Sequence, residues 1–126
     1  MRKAEREVKD PAEKFAALMR CPYIVLAANG GSAPYQVPLN FGAALRKEGL
    51  VLYFHCAKEG KKLELLRKGG EVSFCAANML RVFNKGIAPC GYTTDYESVC
   101  GRGNAEILRE EGERLEGLEI LMAHYT

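Results

Sequence analysis

Residues 54–62 read FHCAKEGKK, and they gather the residue types that suit capture of an anion. His55 is one of two histidines in the chain. An imidazole exchanges protons near neutral pH and can bond a phosphate or a ring oxygen. Gly60 lets a ligand approach the backbone, and Lys61 and Lys62 add adjacent positive charges. If a strand ends near His55 and Cys56 and a helix starts near Lys58, the free amides of its first turn favour a phosphate at the same spot. The paired lysines run against the usual preference for acids at a helix start. A solvated basic turn accounts for the same residues, and a lone histidine at a strand end is more often structural than catalytic. Residue types alone leave both open.

Few other chemistries are on offer. The five cysteines (Cys21, Cys56, Cys75, Cys90, Cys100) include no CxxC pair, so a zinc site is not expected and most read as small buried hydrophobes. No GxGxxG and no GxxxxGK[ST] occurs, which leaves out the Rossmann and P-loop routes to a nucleotide. His124 has no comparable neighbours and reads as a surface residue.

Several elements must position the FHCAKEGKK stretch. Asp10-Pro11-Ala12-Glu13 is a helix start, with Asp10 as cap, Pro11 at the first helical position and Glu13 completing a capping-box pattern. Phe15, Leu18 and Met19 recur at helical spacing, and Pro22 stops the helix. Residues 23–28 read as a buried strand, and Asn29-Gly30-Gly31-Ser32 as a turn leading into a second strand over 35–41. Pro38 cannot donate to a ladder, so that second strand is an edge or is bulged there. An edge beside Asn40 could offer main-chain groups to a ligand ring, and a plain edge strand fits as well.

A turn at Arg46-Lys47-Glu48-Gly49 precedes a third strand over 50–56, and residues 58–68 look helical, ending at Gly69-Gly70. A fourth strand covers 71–77. Residues 78–92 read as a long loop, and 98–108 as a strand that Gly101 and Gly103 bulge or bend. A closing amphipathic helix over 110–125 places Leu115, Leu118, Leu121, Met122 and Tyr125 on one stripe. Consecutive strands with few helices predict a mainly β protein, an antiparallel sheet closed into a small barrel.

Composition sets the outer limits. A length of 126 residues predicts one domain, and 18 Lys+Arg against 16 Asp+Glu is too balanced to indicate nucleic acid or a membrane surface. Apolar runs fall well short of the ~20 residues of a membrane span. The charged start MRKAEREVKD has no apolar signal region, so a cytoplasmic protein is expected.

The order and spacing of PYQVPLNFG (34–42), LYFHCAKEGKK (52–62), Cys90, YESVCGRGNAEI (96–107) and LMAHY (121–125) resemble the flavin-binding split-barrel proteins. Within them the resemblance is greatest to the nitroimidazole-resistance group, relatives of pyridoxamine 5′-phosphate oxidase. It implies a six-stranded antiparallel Greek-key barrel, a single FMN-binding domain over residues 1–126. The family's usual last strand, beyond LMAHY, has no counterpart in the sequence.

A homodimer with FMN between subunits is implied, FAD being the alternative cofactor and NAD(P)H a candidate electron donor. By the same resemblance, Val37, Pro38, Leu39 and Asn40 would line the flavin ring. His55, Cys56, Ala57, Gly60, Lys61 and Lys62 would surround the ribityl phosphate and ring edge. Cys90, Tyr96, Ser98 and Val99 would border the groove from the other subunit. The family often has serine where Cys56 stands, and a thiol is the weaker donor.

His55 would be the catalytic residue of an FMN-dependent reductase of nitroaromatics or other small organic acceptors. A flavin-binding or sensing module without turnover, or a haem-binding split barrel with His55 as axial ligand, are the alternatives. Pyridoxamine phosphate oxidase activity itself is not expected, because nothing after Leu108 resembles that enzyme's arginine-rich substrate grip.

Overall fold

A computed structural model describes residues 10–30, 32–55, 71–84 and 92–126, with side chains throughout except at 81–84 and 92–95. The expected helix over 58–68, and Cys56, Ala57, Gly60, Lys61, Lys62 and Cys90, lie outside the described residues.

Helix α1 (Pro11–Met19) starts as its local chemistry requires. Asp10 is extended, its carboxylate accepts the Ala12 N–H at 3.1 Å, and Pro11 needs no partner for its nitrogen. The far end of the helix turns inward, so that Leu18 and Cys21 are fully buried.

Six strands follow: β1 (Ile24–Asn29), β2 (Pro34–Leu39), β3 (Gly42–Arg46), β4 (Gly49–Tyr53), β5 (Glu71–Asn84) and β6 (Tyr92–Asn104). They form two antiparallel sheets, one ordered β2-β1-β5-β6 and one a β3-β4 hairpin. The protein is therefore mainly β, with α1 and a C-terminal helix α2 (Glu111–Ala123). Among the described residues strand β2 pairs with β1 alone, and Pro38 sits opposite Val25. That is an edge position, one of the two arrangements the proline allows.

Side chains alternate across the pleat, and one face of the larger sheet fills the core. Ile24 and Leu26 of β1, Leu39 of β2, Ala76 of β5 and Ala43 of β3 join Leu18, Cys21 and Phe41 in one buried cluster. The cluster thus draws on both sheets and on the end of α1.

Four expectations need correction. Strand β3 was not anticipated, because GAALR carries no clear two-residue period. The loop expected over 78–92 is instead largely ladder: β5 runs on to Asn84, and β6 begins at Tyr92, paired from Met79↔Tyr96 to Asn84↔Tyr92. Cross-strand pairing stabilises such segments, and neither strand displays it alone.

The irregularity expected at Gly101 and Gly103 falls between Met79 and Arg81. Gly101 pairs regularly with Phe74, and a Cβ there would stand 2.7 Å from the Phe74 ring, so the glycine makes room for an aromatic neighbour.

The fourth correction concerns α2. Of the expected apolar stripe only Leu121 is buried, while Leu115, Leu118, Met122 and Tyr125 are exposed. The helix seats on β3 and β4 through glycines instead. A Cβ at Gly42 would lie 2.6 Å from the Ile120 carbonyl oxygen, and one at Gly117 would lie 2.8 Å from the Tyr53 ring. Leucines would hold the helix farther from the sheet. Arg46 of β3 fastens the outer side, bonding Tyr53 and Glu116.

Among the described residues, no helix is long and apolar enough to cross a membrane.

Candidate functional site

Two chain segments bring Asn40 and His55 together. Asn40 follows the last residue of β2, and His55 lies two positions beyond the end of β4. Asn40 is exposed between buried Leu39 and buried Phe41, so the residues on either side hold its backbone in place. With Tyr23, Pro38 and Leu39, the pair lines an open groove of about 480 Å³ along the β2 edge. A second hollow of about 280 Å³ shares Asn40 and His55 and is walled by Leu121, Met122, Tyr125 and Thr126.

The second wall depends on the C-terminal segment. The Tyr125 hydroxyl donates to the Pro22 carbonyl at 2.7 Å and accepts the Phe41 N–H at 3.0 Å. His124 Nε2 lies 2.9 Å from the Cys21 carbonyl, so that nitrogen carries the proton and donates. Its ring also packs on Phe41, with centroids 4.5 Å apart. His124, expected at the surface, is therefore half-buried and joins α2 to the start of β1.

The lining is chemically simple. Among the described residues, no Asp or Glu side chain lines either hollow. Tyr23, Pro38 and Leu39 offer flat apolar surface, and Asn40 supplies an amide donor and an acceptor. His55 is exposed and has no hydrogen-bond partner among the described residues. A planar ring could lie against the apolar wall with its polar edge toward Asn40 and His55.

The described site residues expected from sequence divide into three groups. Pro38, Leu39, Asn40 and His55 meet in one groove. Val37 belongs to the same strand but packs against the core. Tyr96, Ser98 and Val99 sit on β6, with β1 and β5 intervening between that strand and β2, and do not line the groove of their own chain. Tyr96 and Ser98 point outward, whereas Val99 packs on the core.

An ion pair fixes that part of β6. Glu97 accepts two bonds from Arg20, each 2.7 Å, and a third from Asn78 at 3.3 Å. The Arg20 bond, aided by Asn78, holds the Glu97 carboxyl below the ordinary carboxylate range, against the opposing effect of burial. With Glu97 turned toward α1, its neighbours Tyr96 and Ser98 face the other way.

Sequence reasoning missed Tyr23, Leu121, Met122, Tyr125 and Thr126 as site walls. Tyr23 reads as the first residue of a buried strand, and Tyr125 as part of a helix stripe. Only their contacts with distant segments place them at the groove. Among the described residues, no group of three or more His, Cys, Asp or Glu side chains could hold a metal ion.

Comparison with known proteins places the chain among relatives. A family model described as pyridoxamine 5′-phosphate oxidase matches residues 10–126. A solved structure from Bacteroides thetaiotaomicron, assigned to 5-nitroimidazole antibiotic resistance, is similar with a TM-score of 0.75 and 25% identity. That match covers 94% of this chain and 68% of the other.

The flavocytochrome Anf3 of Azotobacter vinelandii is similar in fold, with a TM-score of 0.70, 16% identity and coverage of 97% and 58%. An FAD and heme binding protein of Mycobacterium smegmatis gives 0.72, 17%, 94% and 55%. The chain thus spans just over half the length of these last two. No curated protein matches it by sequence.

Proposed function

The chain belongs to the pyridoxamine 5′-phosphate oxidase family, and from that premise we propose that it is an FMN-binding flavoprotein that reduces small organic acceptors, nitroaromatics among them. The observation that carries this reading is the groove at the β2 edge, which Asn40 and His55 line together with the apolar surface of Tyr23, Pro38 and Leu39. The groove suits a planar, partly polar ring. The likeness to the Bacteroides protein supports nitroimidazoles as the first acceptors to try.

In this reading the domain is a six-stranded Greek-key split barrel working as a homodimer in the cytoplasm. Pro38, Leu39 and Asn40 bind the ring, with Val37 supporting them from the core side. Cys56, Ala57, Gly60, Lys61 and Lys62 hold the ribityl phosphate. Cys90, Tyr96, Ser98 and Val99 approach from a second copy, in keeping with the place of the last three on the far strand of the sheet.

The flavin, when bound, supplies two-electron reduction, and NAD(P)H is the proposed source of those electrons. The chain's own part is to orient the ring, exclude water from one face and offer the His55 imidazole as a proton donor beside the acceptor.

Purified protein tests the reading directly. It should be yellow or take up added FMN with a shift in flavin absorbance, FAD serving as the comparison. Photoreduced protein mixed anaerobically with a 5-nitroimidazole should reoxidise quickly, and slower reoxidation in His55→Ala would place the proton transfer there. Flavin binding without reoxidation would indicate a binding or sensing module. Colourless protein that refuses flavin would overturn the proposal, and a haemin Soret band lost in His55→Ala would replace it with haem binding.

A further inference from the structure

We propose that Cys75 and Cys100 are a paired thiol site that a small-molecule disulfide oxidises to a cross-strand disulfide, locking β5 to β6. The two residues are direct register partners on antiparallel strands, both are exposed, and their sulfurs lie 3.5 Å apart. Opposed residues in such a ladder have Cα atoms about 4.5 or 5.5 Å apart. Both values fall within the range of about 4.4–6.8 Å that a disulfide spans. The ladder's ordinary spacing is therefore compatible with a bond between the two sulfurs. Cys21, the remaining described cysteine, is buried with its thiol bonded to the Ala17 carbonyl, which keeps it out of this exchange.

The chemistry balances as a thiol exchange. One protein thiolate attacks oxidised glutathione, forming a mixed disulfide and expelling one glutathione thiolate. The second protein thiolate then attacks the protein sulfur of that mixed disulfide and expels the other glutathione. The protein loses two electrons and two protons, and two molecules of reduced glutathione carry them away. Partial desolvation of the sulfur, then the Cys100 contact, raises the Cys75 thiol above its ordinary range although the residue is exposed, so the exchange speeds up as pH rises.

The product would tie the ladder next to Val99 and Ser98, which pair with Ala76 and Ala77 just beyond the cysteines. A reducing cell would keep the pair open, and oxidative conditions would close it. This inference does not depend on flavin binding, and its readouts use no cofactor.

The experiment titrates the whole protein, in its native oligomeric state, with mixtures of oxidised and reduced glutathione. Intact mass should fall by two hydrogens per chain. Digestion with trypsin, followed by cleavage after Glu97 to separate Cys90 from Cys100, should yield a fragment joining Cys75 to Cys100. Dithiothreitol should restore the original mass, and Cys75→Ser and Cys100→Ser should each abolish the link. Oxidised wild type should also melt higher than reduced, a shift absent from both variants. Stable glutathione adducts at Cys75 or Cys100, no reaction at either thiol, or a dominant link to Cys56 or Cys90 would each overturn the proposal. Mapping of the wild type alone decides among these, whether or not a variant folds.

Discussion

The Tyr125 hydroxyl accepts the Phe41 N–H at 3.0 Å, across 84 positions of sequence. Phe41 is fully buried, so its amide has no easy route to water. Tyr125→Phe keeps the ring but strips both this amide and the Pro22 carbonyl of their partner. The expected cost is about 1–3 kcal/mol, the penalty for a poorly solvated polar group left unpaired. Urea unfolding measures it, and a change near zero would mean that water replaces the hydroxyl.

The two glycines under α2 should respond differently to alanine. At Gly42 the added Cβ meets helix backbone at 2.6 Å, which cannot step aside without moving α2. Gly42→Ala should cost about 1–3 kcal/mol as an overpacked contact. At Gly117 the neighbour is the Tyr53 ring, which can turn, and alanine recovers about 1 kcal/mol of helix propensity. Gly117→Ala should therefore be the milder change, and thermal melts of the two variants side by side compare them.

Acid should loosen the clasp between α1 and β6. Glu97 in the folded protein ionises below its ordinary value of 4.5, chiefly through its bonds to Arg20. Between the folded and unfolded values the unfolded chain binds more protons, so stability falls as pH falls. The contribution is complete above about 4.5 and disappears as pH drops through the depressed value. In Glu97→Gln the acid limb of a stability-against-pH curve should be shallower, while the curve near neutrality keeps its shape.

Phosphate capture puts a number on the lysine pair. Under the proposed function, Lys62→Ala should weaken FMN binding by about 1–3 kcal/mol, the range for a charge-assisted contact. Isothermal titration with FMN reads this, and riboflavin, which lacks the phosphate, should bind wild type and variant alike. Equal FMN affinity in the two proteins would return Lys62 to a solvated turn.

Much of this arrangement was legible locally. Asp10 and Pro11 announce α1 because a cap acts within a single turn. Pro38 identifies β2 as an edge because a missing N–H is a property of one residue. His55 at the end of a strand, with Asn40 at the end of another, was likewise readable from local punctuation. The motif order also led to the family that the match over residues 10–126 establishes.

What the amino-acid order alone determined is thus the set of parts: a mainly β chain, its capped first helix, its edge strand, and the polar residues at its strand ends. The tertiary structure decided which parts meet. Gly42 rather than the leucine stripe seats α2, Tyr125 reaches Phe41 and Pro22, and Cys75 faces Cys100. Caps, turns and edges are set by neighbours in sequence, so the chain displays them directly. A glycine's vacancy, a hydroxyl's two partners and a cross-strand pair exist only once folding brings distant segments within a few ångströms. A sequence cannot show such a relation one residue at a time.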